Sequence, residues 1–216
     1  MKRLLAVVAL FGAMAYSFGQ GYVNFNNTTA TRASTNGLLI TAAPVPSWYY
    51  ALLVAPSTQN TVDPSLSGWT FVALGTNTTL AGRMAGNTTA DNGGVPIAGY
   101  TGTSTADFVV VAWSANLGSD WVAIFAGRPI ILTDNTHTGR GFWLTPTPMY
   151  GWYGISTVGN NILLAPSGGP YNSVWGTANS GLIQGINLNC YWVPEPSTFA
   201  LAGLGAAALL VFRRRR

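Results

Sequence analysis

Charge is scarce in this chain. Only 7% of its 216 residues are Asp, Glu, Lys or Arg, against roughly 25% in an average soluble domain. The few cations sit at the ends: Lys2, Arg3 and Arg213 to Arg216 supply six of the ten. Between Gln20 and Val193 there remain Arg32, Arg83, Arg128 and Arg140 against Asp63, Asp91, Asp107, Asp120 and Asp134, a balance of 4 − 5 = −1. The basic pI therefore belongs to the termini. Nucleic-acid binding, which needs a basic face on the folded body, is excluded as a reading. With one cysteine, Cys190, no intramolecular disulfide can form, and no cysteine follows the N-terminal apolar run to take a lipid. A body of about 170 residues can bury a sufficient core without such staples.

Catalytic groups are equally thin. The single histidine, His137, lies in the turn-like stretch Asp134-Asn135-Thr136-His137-Thr138-Gly139, and no Gly-x-Ser-x-Gly elbow accompanies it; it reads as a loop histidine. Cys190 falls on the apolar side of an alternating run, so core packing is expected of it rather than nucleophilic chemistry. Glycoside hydrolysis draws on two carboxyl groups, and the body has no Glu and five scattered Asp. Zinc lacks ligands. Asp91-Asn92-Gly93-Gly94 and Asp134-Asn135-Thr136 are oxygen-rich, but turn formation accounts for both. The expectation is a protein that is not an enzyme and carries no metal or cofactor.

What is present begins with address labels. Residues 1–19 read as a signal peptide. Lys2 and Arg3 precede the apolar run Leu4 to Ala15, and small residues Ser17 and Gly19 suit the −3 and −1 positions of a cleavage site. The cut is expected after Gly19, with Ser17 as the alternative. A first transmembrane helix is the competing reading, but 12 apolar residues fall well short of the ~20 that a bilayer core demands.

Residues 193–216 have a second logic. Val193, Pro194, Glu195, Pro196, Ser197 and Thr198 form a non-helical spacer, because each proline disfavours helix in the residue before it. Phe199 to Phe212 is an uninterrupted stretch of 14 small and apolar residues, expected as a short transmembrane helix, and Arg213, Arg214, Arg215 and Arg216 follow. Such a helix covers about 21 Å, short of the ~30 Å hydrocarbon core. The arginines should stay cytoplasmic by the positive-inside rule, leaving the body outside. A temporary stop in the membrane fits this geometry better than a permanent anchor, which remains the alternative.

The spacer Pro194-Glu195-Pro196-Ser197-Thr198, the Ala200-Leu201-x-Gly203-Leu204 start of the apolar stretch and the Arg run resemble the PEP-CTERM sorting signal of Gram-negative bacteria. The signal peptide makes the Sec machinery and signal peptidase expected partners, and the resemblance implies recognition by exosortase, a membrane-embedded enzyme that cleaves near the motif. It also implies a cell-surface or extracellular destination, often with exopolysaccharide or biofilm matrix. The logic parallels other signals whose hydrophobic tail is removed. The opening Tyr22-Val23-Asn24-Phe25-Asn26-Asn27, and the run Phe108 to Phe125, are similar to PEP-CTERM proteins abundant in Verrucomicrobia; that likeness carries no activity.

The chain between, residues 20–192, reads as one β-sandwich-like domain. Strands are expected over 21–27, Leu38 to Thr41, Trp48 to Ala55, Trp69 to Leu74, Phe108 to Ser114, Pro129 to Thr133, Gly141 to Leu144, Gly151 to Thr157, Tyr171 to Trp175 and Leu182 to Val193. Turn clusters separate them, at Pro64 to Gly68, Asp91 to Gly94, Asp134 to Gly141 and Pro166 to Pro170. One short helix is expected after Asn116 to Asp120, with Trp121, Val122, Ile124 and Phe125 on its buried face before Gly127 and Pro129 stop it. An all-β, antiparallel sandwich or jelly-roll-like fold follows.

Aromatics are the one feature that suggests a ligand. All eight Trp fall in the body. Trp143, Tyr150, Trp152 and Tyr153 lie close enough in sequence to form a platform for sugar rings; the alternative is that they fill the core and rim of the sandwich. Alternation sends Trp152 and Tyr153 to opposite faces. Asn-x-Thr sequences at Asn26, Asn27, Asn77 and Asn87 are expected by chance in so Asn- and Thr-rich a chain. The function expected is a structural or adhesive surface protein, or alternatively a glycan-binding module; an enzyme acting on matrix polysaccharide ranks behind both.

Overall fold

The computed structural model describes residues 19–86, 93–122, 150–177 and 179–192. The residues expected to form the signal peptide's apolar run, the strands at Pro129 to Thr133 and Gly141 to Leu144, and the membrane helix Phe199 to Phe212 lie outside these. Within them the chain is mostly β. Eleven strands occur: β1 (Gly21–Val23), β2 (Ala33–Thr35), β3 (Leu38–Leu39), β4 (Trp48–Pro56), β5 (Thr70–Asn77), β6 (Met84–Ala85), β7 (Val95–Ile97), β8 (Thr105–Ser114), β9 (Tyr150–Ile155), β10 (Gly159–Leu163) and β11 (Ile186–Trp192). Nine make a sheet in the order β3-β2-β11-β9-β8-β4-β5-β6, with β10 also on β8, while β1 and β7 form a separate antiparallel ribbon.

The centre of the sheet is the β4–β8 pair, antiparallel from Trp48↔Ser114 to Pro56↔Ala106. Both strands are runs of apolar residues rather than alternating ones, the pattern of a strand covered on two faces. One face carries Tyr50, Leu52, Val54, Phe108, Val110 and Ala112 into the main core, where Val23, Ile97, Trp175 and Leu188 meet them. The other carries Ala51, Leu53, Val109, Val111 and Trp113 into a second cluster with Trp69 and Tyr153. Complete burial of each large side chain is worth roughly 1.5–3 kcal/mol, so this pair dominates the stability of the body.

The opening of the body is a buckle. Val23 and Phe25 are buried while Tyr22, Asn24 and Asn26 are half-exposed, as alternation predicts. Phe25 stacks on Trp175, ring centroids 6.4 Å apart and planes 7° from parallel, and the Trp175 indole N–H donates to the Phe25 carbonyl at 2.8 Å. Asn27, buried, donates through Nδ2 to the carbonyls of Thr31 and Gly82, both at 2.9 Å, and accepts from the Met84 N–H at 2.8 Å and the Arg83 Nε at 3.2 Å. The Ala33 N–H also donates to Gly82 O at 2.9 Å. Residues beside β2 and beside β6, near the two ends of the strand order, are thereby drawn together and the sheet curls.

Two irregularities along β8 are filled by polar side chains. Between β9 and β10, Ser156 takes up the Val110 N–H with its hydroxyl (2.9 Å), and its own N–H reaches Val110 O (2.9 Å). Between Gly159 and Ile162 the register shifts; there Asn161, at φ 52°, donates its N–H to Oδ1 of the buried Asp107 at 2.6 Å. Unpaired buried backbone groups cost on the order of 1–3 kcal/mol, and these side chains remove that cost.

Several expectations need correction. The β11–β2 pair is parallel, Ile186↔Ala33 to Leu188↔Thr35, because strands far apart in the chain need no hairpin between them. Tyr171 to Trp175 holds only isolated bridges, Asn24↔Ser173 and Trp175↔Ile183. Leu38 to Thr41 shrinks to the two residues of β3. After a 3-10 turn at Ala115–Leu117, helix begins at Trp121 as expected, capped by the Asp120 carboxylate on the Val122 N–H at 2.9 Å; the burial of Val122 is what needs correcting. Val122 is 62% exposed rather than buried, since Trp121 is the residue that packs, against Trp113 and Phe71.

Candidate functional site at the end of the last strand

Pairing fixes one row across the middle of the sheet. Trp48 lies opposite Ser114; Ser114 is one residue past the Trp113↔Tyr153 pair, beside Trp152, whose N–H donates to Ser114 Oγ at 2.9 Å; and Trp152 lies opposite Cys190. The row extends to Asn77, whose Oδ1 accepts the N–H groups of Ser47 (2.8 Å) and Trp48 (3.0 Å). The Asn77 amide donates to the carbonyls of Ala43 (3.3 Å), Pro44 (3.1 Å) and Thr78 (3.1 Å). One buried side chain thus holds the loop before β4 in place. Its Asn-x-Thr context is consumed by this structural role.

Two residues beyond that row, β11 ends with Trp192 opposite Tyr150. The strand stands between β2 and β9 in the sheet order, but its pairing with β2 ends at Leu188, and its last four residues, from Asn189 to Trp192, pair with β9 alone. Val193, the first residue of the expected sorting segment, is the next residue.

The aromatic candidates separate along this strand pair. Trp152 is half-buried, packs against the main core and meets Trp48 edge-on at 6.4 Å and 69°. Tyr153 faces the other way and is buried in the second cluster. Tyr150 stands on β9 at the register position opposite Trp192, and Trp143 lies outside the described residues. Aromatic contacts missed in the sequence are those of Tyr49 and Trp113, ring centroids 5.8 Å apart, and of Tyr22 and Tyr171 at 5.6 Å.

Cys190 requires correction: it is exposed. Ile186 and Leu188 reach the main core, but two residues further along β11 that core has ended. Partial desolvation pushes the thiol above its usual value, which keeps it protonated and poorly nucleophilic at neutral pH. Among the described residues no three His, Cys, Asp or Glu side chains gather as a metal site. His137, Asp91 and Asp134 lie outside those residues, as do Val193 to Arg216.

A family model for the PEP-CTERM protein-sorting motif matches residues 193–216. The chain carries a PEP-CTERM sorting segment. The match starts at the residue after β11 and covers the spacer, the apolar stretch and the arginines that carry the resemblance in the sequence. The PEP-CTERM segment marks export and membrane-associated sorting toward the cell surface, with exosortase as the processing partner. No curated protein and no solved structure matches the chain. Among the described residues no helix is long and apolar enough to cross a membrane.

Proposed function

We propose that this protein is a non-enzymatic building block of the extracellular polysaccharide layer, delivered by its PEP-CTERM segment and anchored only until exosortase removes the tail. Sec export and signal peptidase would act first, at residues 1–19. The Phe199 to Phe212 stretch would hold the body at the outer face while Arg213 to Arg216 stay cytoplasmic. The observation that carries the reading is the motif itself, which begins at the residue after the last strand of the body. A charge-poor body buried on both faces of β4 and β8 supports a passive, sandwich-like scaffold with a structural or adhesive role. The test is mass spectrometry of surface-retained protein from cells with and without exosortase. Loss of Arg213 to Arg216 only where the enzyme is present is expected; intact arginines on surface protein overturn processing.

A second reading, a glycan-binding module, draws on the half-exposed Trp152 ring set edge-on to Trp48, since such rings stack on sugars. Loss of exopolysaccharide pull-down in Trp152→Ala, with an unchanged unfolding midpoint, would favour it; absence of binding by the wild-type body would end it.

A further inference from the structure

We infer that, before the tail is cut, the uncharged loop at the β11 exit end of the body rests on the outer surface of the lipid bilayer. This rests on the anchoring reading above. The spacer Val193 to Thr198 has six residues between Trp192 and the apolar stretch. Fully extended, six residues span at most about 22 Å. That is less than the length of the body along β8, whose 10 residues at ~3.3 Å each measure about 33 Å. The end of the body that carries Trp192 is therefore held within a short tether of the membrane.

Two described segments at that end suit such contact. Residues 41–48, Thr-Ala-Ala-Pro-Val-Pro-Ser-Trp, and 114–119, Ser-Ala-Asn-Leu-Gly-Ser, contain no charge; the exposed Asp120 follows the second segment, so the first is the one that makes the contact. Pro44, Val45 and Pro46 are exposed, Val45 by 50%, and Trp48 behind them is half-buried. The loop is fixed by the Asn77 amide and by the Ala115 N–H on Ser47 O at 2.9 Å, so little conformational freedom is lost on contact. The carbonyls of Ala43, Pro44 and Ser47 and the N–H groups of Ser47 and Trp48 are already paired, Trp favours the headgroup level of a bilayer, and no ionised side chain of the loop must be desolvated. Trp48 and Cys190 share one row across the sheet, with β8 and β9 between them. At ~4.8 Å between neighbouring strands, the loop stands about 14 Å from the exit strand, within the tether's reach.

The experiment uses the exported protein with its C-terminal segment intact, reconstituted in phosphatidylethanolamine–phosphatidylglycerol vesicles. On a Cys190→Ser background, Val45→Cys or Thr103→Cys carries an environment-sensitive fluorophore; Thr103 precedes β8 at the opposite end and is exposed. Lipids with a headgroup nitroxide should quench the Val45 probe at least threefold more than the Thr103 probe. Equal quenching in protein that floats with the vesicles overturns the inference and leaves the anchoring reading standing. Protein that fails to float sinks the anchoring reading, and this inference with it. A 20-residue Gly-Ser insertion between Trp192 and Val193 separates tether from surface. Retained Val45 quenching supports contact by the loop itself, whereas a fall to the Thr103 level reduces the effect to tethering and overturns the contact.

Discussion

The side-chain amide of Asn27 donates to the carbonyl of Gly82 at 2.9 Å across 55 positions of sequence, and that bond helps hold together the two ends of a curled sheet. The same side chain meets Thr31 O, Met84 N and Arg83 Nε. Asn27→Ala would leave buried donors and acceptors without partners, at roughly 2–3 kcal/mol. The urea midpoint should fall accordingly with an unchanged m-value; a shift below a few tenths of a kcal/mol would show the curl is held elsewhere.

Gly154 allows β9 and β11 to approach. A Cβ there would run into the carbonyl oxygen of Asn187, a backbone atom that cannot swing aside. Gly154→Ala should destabilise the body by about 1–3 kcal/mol, whereas Gly99→Ser, with nothing within 4 Å of an added Cβ, tests only its positive φ of 84° and should cost about 1 kcal/mol. Thermal melts of the two variants side by side check the order.

Tyr50 is buried with a hydroxyl that has no hydrogen-bond partner among the described residues, and desolvation pushes its phenol far above the ordinary value. In the unfolded chain Tyr ionises near pH 10, while the folded state keeps the proton. Stability from this residue is therefore intact below about pH 10 and declines as pH rises further, by at most about 1.4 kcal/mol per pH unit. Tyr50→Phe should be neutral or stabilising by about 1 kcal/mol at pH 7 and should flatten the alkaline decline. Urea titrations at pH 7 and pH 11 give both numbers.

Cys190 should alkylate to completion in the folded protein, because it is exposed. Its raised thiol value lowers the thiolate fraction, so iodoacetamide at pH 8 should react several-fold more slowly than with the urea-unfolded chain. Equal rates would remove the desolvation; no reaction at all would restore the core position that alternation suggests.

Much of the body is legible in the sequence for a physical reason. The apolar runs of β4 and β8 are long enough to mark fully covered strands, and the alternation of Trp152 with Tyr153 does place them on opposite sides of the sheet. Strands of two or three residues, such as β6 and β7, are too short for any period to register, and Pro96 in β7 argues against a strand locally. The β2–β3 hairpin did carry a signal: Asn36-Gly37, at φ 47° and 79°, is the dipeptide that a two-residue hairpin turn prefers. Asn27 and Asn77 could not be told from the chain's other asparagines, since their roles depend on backbone groups brought in from 30 to 60 residues away. Cys190 was misplaced because alternation tells which face a residue takes, not where the opposing layer stops. The sorting segment is the opposite case, since its order of spacer, apolar stretch and arginines needs no tertiary context.

The position of β11 has a consequence in time. It is made after every other described strand, yet it joins β2, through residues 186–188, to β9, through residues 189–192. Chains fold from the N-terminus as they emerge, but this sheet has a vacancy until the residues next to Val193 are across the membrane. A truncated chain would lack both its address and its keystone strand, so incomplete products are left open for proteolysis while only full-length chains close. Delivery and completion of the fold are thus tied to the same few residues.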